Sequence, residues 1–245
     1  MKNNNKFRLD VWGAITLGTI VLYALFLLYP MAYLIRQSVL DPDTGSFTLA
    51  YFTKFFSKSY YFDTLINSFK VSITATVLSI AIGTPLAYLF TIFKIKGKSV
   101  LNILIVVASM SAPFIGAYSW ILLLGRSGII TTFFKNLGIA IPDIYGFGGI
   151  VLVMTLQLFP LVFLYAKGAL KNIDNSLIEA AENLGCSGIA CFFKVVVPLI
   201  MPTLLAAALL VFMRSFADFG TPMLIGEGYM VLPVLVYNEY MSEIG

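Results

Sequence analysis

Long apolar runs separated by short polar stretches dominate this chain. A helix needs about 20 apolar residues to cross the hydrocarbon core of a bilayer. Runs of that length are Val11–Ile35, Val71–Phe93, Leu101–Leu124, Gly148–Ala166 and Val195–Met213. The pattern therefore predicts an all-α, polytopic transmembrane helical bundle with five visible spans.

The composition narrows the class of protein further. Of the 245 residues, 59% are hydrophobic and 11% are charged, and the mean hydropathy is +0.91. A soluble domain carries about a quarter of its residues as charged side chains, so a cytosolic enzyme, a disordered chain and a nucleic-acid partner are all disfavoured. The chain has no His, the commonest metal ligand and general base, and we predict neither a catalytic nor a metal site. We expect Cys186 and Cys191 to be packing residues rather than a disulfide.

Basic residues orient the predicted bundle. One set of connections holds nine basic and four acidic residues, and the opposite set holds seven basic and eight acidic residues. The positive-inside rule places the first set in the cytoplasm. The two basic clusters in that set are Lys2, Lys6 and Arg8, and Lys94, Lys96 and Lys98. We therefore expect a multi-pass protein of the inner (cytoplasmic) membrane whose N-terminus is cytoplasmic.

Small residues and prolines recur inside the spans. The small residues repeat every four positions, as Ala75, Ser79, Gly83 and Ala87 and as Ala108, Ala112 and Gly116. Such faces allow helix backbones to approach closely in lipid. Pro85, Pro113 and Pro160 are expected to kink their helices or to leave carbonyl groups unpaired. Bundle packing explains both features, and a moving helix that lines a pathway is the alternative.

The connection between the fourth and fifth spans predicts a short amphipathic helix. Ser176 and Glu179 have capping-box spacing, and Gly185 suits the left-handed position after the last turn. The apolar face of this helix consists of Leu177, Ala180, Ala181 and Leu184. A second short helix is expected over residues 187–194. A small, Ala-rich helix at the membrane surface predicts docking into a groove of a soluble partner.

This connection resembles the EAA-x3-G-x9-I-x-L-P loop of permease subunits in binding-protein-dependent ABC importers with the type I fold. The matching residues are Glu179, Ala180, Ala181, Gly185, Val195, Val197 and Pro198. Val195 and Val197 replace the usual Ile and Leu by similarly apolar side chains. The resemblance implies that loop 167–198 is a coupling loop that docks into a cleft of a cytoplasmic ATPase subunit. Glu179 is either a partner for a basic residue of that ATPase or a helix cap alone.

The resemblance also implies an assembly and a domain division. ATP is used by the partner ATPase, and this chain binds no cofactor itself. A second permease domain, from the same or another chain, and an external solute-binding protein complete the complex in the lipid bilayer. Residues 67–245 correspond to the permease core, and residues 1–66 supply a cytoplasmic tail, an additional first helix and an external loop. Because a further span follows the corresponding tail in the family, we expect a sixth helix to be missing after residue 245.

Three further segments resemble the branch of ferric-iron, 2-aminoethylphosphonate and polyamine permeases. These segments are Gly125–Ile130, Tyr145–Ile150 and Phe216–Gly226. The phrase Ala-Asp-Phe-Gly-Thr-Pro at positions 217–222, followed by Val231–Tyr237, most resembles the amino-terminal halves of ferric-iron permeases. We therefore expect ferric iron as the cargo, with a polyamine or 2-aminoethylphosphonate as the alternatives.

Four polar residues are candidates for the pathway or the outer gate: Arg214, Asp218, Gln157 and Asn67. Ionisable residues at membrane depth are costly and tend to mark pathways or paired structural sites. Arg214 and Asp218 are four positions apart, so they share a helical face and either pair with each other or form a gate. The spans contain no cluster of carboxylates, tyrosines or thiols that would form a ferric-ion site.

Other classes of protein make different demands on the sequence. A secondary transporter that works without an ATPase would have inverted repeats or buried ionisable relays, which this sequence lacks. An integral-membrane enzyme would need clustered catalytic groups, and a membrane scaffold with no transport role remains open.

Gly97-Lys98-Ser99 matches the end of a phosphate-binding loop, but position 92 is Ile and the segment joins two membrane helices. We interpret it as a basic cytoplasmic loop.

Overall fold

The computed structural model describes residues 11–41, 44–93, 96–186 and 188–244, and within them the chain is helical apart from turns, loops and one bridge between Leu40 and Phe47. The predicted all-α bundle is confirmed. The helices are α1 (Val11–Tyr23), α2 (Tyr29–Val39), α3 (Ala50–Ser57), α4 (Ser59–Ile92), α5 (Lys98–Ser109), α6 (Pro113–Leu124), α7 (Ile129–Asn136), α8 (Phe147–Lys171), α9 (Asn175–Asn183), α10 (Gly188–Cys191), α11 (Val197–Phe216), α12 (Gly220–Ile225) and α13 (Leu232–Ile244). Lys2, Lys6, Arg8 and Lys94, on which the predicted orientation partly rests, lie outside the described residues, as does Ser187.

Five helical segments of the described chain are long and apolar enough to cross a membrane. They are Val11–Val39, Ser59–Ile92, Pro113–Asn136, Phe147–Lys171 and Gly188–Phe216. The number of spans agrees with the prediction, but the third predicted span, Leu101–Leu124, is not one helix. Ala112 is extended, with φ −69° and ψ 143°, because the residue before a proline avoids the helical region. The run therefore splits into α5 and α6.

The chain packs as two units, which divide between Phe62 and Asp63. In the first unit, α1 continues through a π-helical turn, Ala24–Leu28, into α2, and the rings of Phe55 and Tyr61 stack at 5.9 Å. The second unit contains most of α4 and all later helices.

The core of the second unit surrounds α8, against which α4 and α11 pack. The small-residue face predicted on α4 is confirmed, since Ala75, Ser79, Gly83 and Ala87 are all buried. The ring of Phe90 on α4 meets that of Phe163 on α8 edge-on at 5.2 Å. The corresponding prediction for the third run is wrong within this chain: Ala108 and Ala112 are exposed. The break between α5 and α6 takes these residues off a common helical face.

Prolines explain the two π-helical turns, Ala24–Leu28 and Phe192–Val196. The N–H of Tyr29 donates to the carbonyl of Ala24, and the N–H of Val197 donates to that of Phe192. Each of these donors precedes a proline, which has no N–H to continue the ordinary ladder. The second turn joins α10 directly to α11, so the short helix expected over residues 187–194 is present over residues 188–196 but continues into the fifth span. Pro85 and Pro160 lie inside uninterrupted helices.

Candidate functional site

The helix α9 begins with a cap supplied by Asp174. The Oδ1 atom of Asp174 accepts a hydrogen bond from the backbone N–H of Ser176 at 3.0 Å. This bond satisfies an N–H group that has no partner inside the helix, and it holds the pKa of the Asp174 carboxyl below its ordinary value. The predicted capping box of Ser176 with Glu179 is therefore wrong. Because the helix begins at Asn175, Ser176 already lies in its first turn.

The helix α9 ends in a glycine stop. Gly185 has φ +86°, a conformation that a residue with a Cβ adopts only at a cost. The N–H of Cys186 donates to the carbonyl of Ala181 at 3.0 Å, and that of Leu184 donates to the carbonyl of Ala180 at 3.1 Å. The bond across the left-handed glycine is that of a Schellman motif. The left-handed stop predicted at Gly185 is confirmed.

One side of α9 and of its terminal turn is open to solvent. Leu177 is 50% exposed and Leu184 is 89% exposed, and Glu179 and Ala180 are exposed as well. On the other side of the helix, Ile178 packs against the hydrophobic core. The exposed side of α9 therefore presents apolar side chains and the Glu179 carboxylate to solvent.

The remaining residues of the motif attach this helix to the bundle. Ala181, Val195 and Val197 are half-buried, and Val197 packs against the core. Between the two valines, Val196 is fully buried, with 0% exposure. Pro198 is exposed at the second position of α11. The sequence Val-x-Val-Pro therefore fixes the segment after α9 to the fifth span.

A cavity of about 460 Å³ opens beside the break between α5 and α6. Its lining consists of Ser109, Ser111, Pro113, Phe114, Gln157, Leu158, Arg214, Ala217, Asp218, Phe219 and Gly220. The Nε2 atom of Gln157 donates to the carbonyl of Ser111 at 3.5 Å. The structure thus brings three of the four pathway candidates, Arg214, Asp218 and Gln157, to one cavity.

Arg214 and Asp218 do not pair with each other. The helix α11 ends at Phe216, so Asp218 lies beyond the helix and the predicted shared face does not exist. The Asp218 carboxylate instead accepts hydrogen bonds at the start of α12, from the N–H of Gly220 at 2.9 Å and from the hydroxyl of Thr221 at 2.7 Å. Within the described residues the ion pairs all involve Arg126, and the Arg214 guanidinium lines the cavity without a carboxylate partner.

Asn67, the fourth candidate, is not among the residues that line this cavity. Its Nδ2 atom donates to the carbonyl of Met230 at 3.1 Å. The adjacent Ser68 hydroxyl accepts a hydrogen bond from the N–H of Leu232 at 2.7 Å. The two bonds hold the segment before α13 against α4, so the geometry gives Asn67 a structural contact.

Sequence reasoning missed the cavity residues contributed by the break, namely Ser109, Ser111 and Phe114. The available signal was the stretch Ser-Met-Ser-Ala-Pro at positions 109–113, where two hydroxyls and a proline interrupt an apolar run.

In the described part of the chain, no group of three or more His, Cys, Asp or Glu side chains is placed to hold a metal ion. Cys186 is half-buried and Cys191 is buried, and the two do not form a disulfide with each other.

The segments around residues 126, 145 and 227 meet in one charged cluster. The Nε atom of Arg126 lies 3.0 Å from Oδ2 of Asp143, and its Nη2 atom lies 2.8 Å from Oε1 of Glu227. The guanidinium lies over the ring of Tyr145, 4.7 Å from its centroid. Asp143 lies just before the start of α8, and α9 lies just after the end of α8. With 25 residues, α8 is about 37 Å long. The cluster and α9 therefore lie at opposite ends of this helix.

A family model described as "Binding-protein-dependent transport system inner membrane component" matches residues 46–244. The chain is 29% identical to the putative ferric transport system permease protein FbpB 1 of Haemophilus influenzae, over 89% of this chain and 34% of that protein. It is 28% identical to the ferric transport system permease protein FbpB of Actinobacillus pleuropneumoniae, over 97% of this chain and 34% of that protein. The chain thus spans about a third of the length of these two relatives.

A third relative has a more similar length. The spermidine/putrescine transport system permease protein PotB of Haemophilus influenzae is 30% identical over 98% of this chain and 84% of that protein. Among solved structures, a chain of a bacterial alginate ABC transporter in complex with an alginate-pentasaccharide-bound periplasmic protein aligns with a TM-score of 0.74. That alignment covers 96% of this chain and 84% of the other at 16% identity, and it establishes the likeness of fold.

Proposed function

Because this chain belongs to the family of binding-protein-dependent transport system inner membrane components, we propose that it is the transmembrane permease subunit of an ATP-binding-cassette importer. The chain is an integral membrane protein and a transport component rather than an enzyme. Its spans would form one part of a translocation pathway. A second permease domain, from the same or another chain, would complete that pathway.

The observation that carries the proposal is the geometry of α9. The helix is capped at Asp174 and stopped at Gly185, Ile178 holds it to the core, and Glu179 is exposed. A partner shifts a conformational equilibrium only if it binds one state more tightly than the other. A helix that is fixed to the bundle and exposed on its far side can transmit such a difference to the spans. In this proposal an ATPase subunit binds α9 and hydrolyses ATP, and Glu179 meets a basic residue of that subunit.

We propose the orientation that the basic residues favour. Lys98, Lys167 and Lys171 lie at the end of the second unit that carries α9, and the positive-inside rule assigns that end to the cytoplasm. The N-terminus would then also be cytoplasmic. The cluster around Arg126 would face outward, where an external solute-binding protein delivers the cargo.

Ferric iron is the cargo that we propose. The resemblance of residues 216–237 to ferric-iron permeases and the two ferric relatives support this choice. A polyamine is the alternative that the third relative supports, and 2-aminoethylphosphonate is a further alternative within the same branch. The cavity lined by Gln157, Arg214 and Asp218 is the proposed contact of the pathway with the cargo.

Site-directed crosslinking tests the coupling role of α9. The two native cysteines are replaced by Ala, and single cysteines are introduced as Ala180→Cys on α9 and as Ser127→Cys beside Arg126. Both positions are exposed, so the pair is matched in accessibility. We expect only the Ala180→Cys protein to crosslink to the ATPase subunit, with a yield that changes between the ATP-bound and nucleotide-free states. Crosslinking from Ser127→Cys alone, or from neither position in a complex that still transports, contradicts the proposal.

Reconstitution tests the cargo and the class of transporter. Proteoliposomes that contain the complete importer are supplied with the binding protein and with radioactive ferric iron or spermidine in parallel. We expect uptake of iron that requires ATP and the binding protein. Uptake of spermidine without uptake of iron would show that the cargo is a polyamine, and the assignment to ABC importers would stand. Uptake that continues without the ATPase would favour a secondary transporter.

A further inference from the structure

A second cavity, of about 480 Å³, lies between α4, α5 and α8 at the end that carries α9. Three lysines line it: Lys98 at the start of α5, and Lys167 and Lys171 in the last turns of α8. Ser99 and Asn102 add polar groups to the lining. None of these residues lines the first cavity, beside the break between α5 and α6, or belongs to the exposed face of α9.

The charge of this cavity is uncompensated within the described residues. Its lining contains no carboxylate, and neither Lys98 nor Lys171 forms an ion pair in the part of the chain that the structure describes. Like charges in a confined, partly apolar space repel one another more strongly than they do in bulk water. An anion in the cavity would relieve that repulsion and gain from all three ammonium groups.

The position of one of the three lysine side chains, that of Lys167, is fixed by contacts with the protein. The Nζ atom of Lys167 donates a hydrogen bond to Oδ1 of Asn102, and it lies 5.4 Å from the ring centroid of Phe163. Phe163 is fully buried in the core. One cation is therefore positioned by the protein itself, and the more exposed Lys171 stands at the rim.

An apolar face continues from this cavity along α5. Val100, Ile103, Leu104 and Val107 are 58–61% exposed, and their spacing places them on one face of the helix. Ile103 also lines the cavity. The basic cavity and the apolar face together match an amphiphile with an anionic head and a hydrocarbon tail. A free phosphate would use the first feature and leave the second without a role.

We propose that this cavity binds the phosphate headgroup of an anionic phospholipid, with an acyl chain lying along the α5 face. Phosphate is the anion expected there because basic pockets between membrane helices bind phospholipid headgroups. The site gives a role to Lys98 and Ser99, which the predicted transport function does not use. The proposal is independent of the cargo and of the coupling role of α9.

Charge-matched double variants test the site. Lys98→Gln/Lys171→Gln removes two lysines of the cavity, and Lys96→Gln/Lys194→Gln removes two exposed lysines that do not line it. Lys167 is left unchanged because its contacts with Asn102 and Phe163 belong to the packing. Binding of dioleoyl phosphatidylglycerol, with dioleoyl phosphatidylcholine as the neutral probe, is measured by native mass spectrometry of the detergent-purified chain. Size-exclusion profiles and thermal unfolding establish that both variants are folded.

We expect the unmodified chain to retain phosphatidylglycerol in preference to phosphatidylcholine. A lysine near an anionic headgroup contributes about fivefold in affinity, so the cavity variant loses about 25-fold and the control changes less than about twofold. Equal losses in the two variants overturn the site, because general surface charge then explains the binding. In a parallel arm, inorganic phosphate is titrated in place of lipid. Stabilisation by inorganic phosphate with no preference for phosphatidylglycerol overturns the lipid assignment.

Discussion

A Cβ atom on Gly83 would lie 2.8 Å from the Cβ of Val162 and 2.9 Å from the carbonyl oxygen of Phe159. At this point α4 and α8 therefore meet backbone to backbone, and Val162 is fully buried against the glycine. Close approach through small residues is a principal source of van der Waals contact between helices in lipid. The contact joins the second span to the helix around which the core is built.

The first prediction concerns Gly83→Ala. Neither the carbonyl of Phe159 nor the backbone of α8 can move aside as a flexible side chain would, so the extra methyl group forces the helices apart. Overpacking of this kind costs about 1–3 kcal/mol. We expect a lower midpoint of thermal unfolding in detergent. The control is Gly168→Ala on α8, where a Cβ meets nothing within 4 Å. If both variants unfold at the same temperature, the close contact is contradicted.

The second prediction concerns the cap of α9 and its pH dependence. Hydrogen bonding to Ser176 lowers the pKa of the folded-state Asp174 carboxyl below its ordinary value of 3.8. A depressed pKa means that the carboxylate stabilises the folded state above pH 3.8, and that this contribution is lost as the pH falls through the folded-state pKa. We therefore expect α9 to keep its cap at neutral and mildly acidic pH and to fray below this range.

Hydrogen exchange detected by mass spectrometry measures this effect in the segment that contains Ser176 and Leu177. Asp174→Ala should remove the protection of this segment at neutral pH. Asp174→Asn should retain much of it and make it insensitive to acid, because the amide oxygen is still an acceptor. Ser176→Ala should change little. If Ser176→Ala reduces the protection of this segment more than Asp174→Ala does, the capping box of Ser176 with Glu179 would be supported instead of the Asp174 cap.

The third prediction concerns Gly185→Val. A β-branched residue at φ +86° is strained by about 1–2 kcal/mol, which lowers the population of the intact turn about 5- to 30-fold. We expect ATP-driven uptake to fall while the spans remain inserted and the basal ATPase activity persists. Gly138→Val is the matched control, because Gly138 also has a positive φ, +76°, in the turn after α7. Normal uptake by the Gly185→Val protein would count against the coupling role.

The fourth prediction separates a pathway residue from a structural one. Asn67→Ala removes the hydrogen bond to Met230, worth about 1 kcal/mol, and should lower the unfolding midpoint by about 2–4 °C. Gln157→Ala removes only a contact at 3.5 Å and should leave the unfolding free energy within about 0.5 kcal/mol. We expect transport per folded molecule to fall in the Gln157 variant and to remain in the Asn67 variant. If transport instead falls in the Asn67 variant and remains in the Gln157 variant, the proposal that Gln157 lines the pathway is contradicted.

The sequence by itself determined those features that depend on local composition and spacing. Apolar runs long enough for a bilayer identify the spans, because no other environment hides so much apolar surface. The four-residue repeat through Gly83 identifies a packing face of α4, and the glycine at position 185 identifies the end of α9, since these are consequences of helix geometry and of a missing Cβ.

The tertiary structure decided everything that joins distant parts of the chain. Asp174 rather than Ser176 caps α9 because the position of the first helical turn depends on where α8 ends. Asp218 turns away from Arg214 because α11 stops two residues earlier, and the amides of Gly220 and Thr221 then attract its carboxylate. Arg126 meets Glu227 across 101 positions, and the lysines of α5 and α8 line one cavity, although no spacing rule links them. Contacts between helices depend on their relative placement, and a periodic pattern in one helix carries no information about which residues of another will face it.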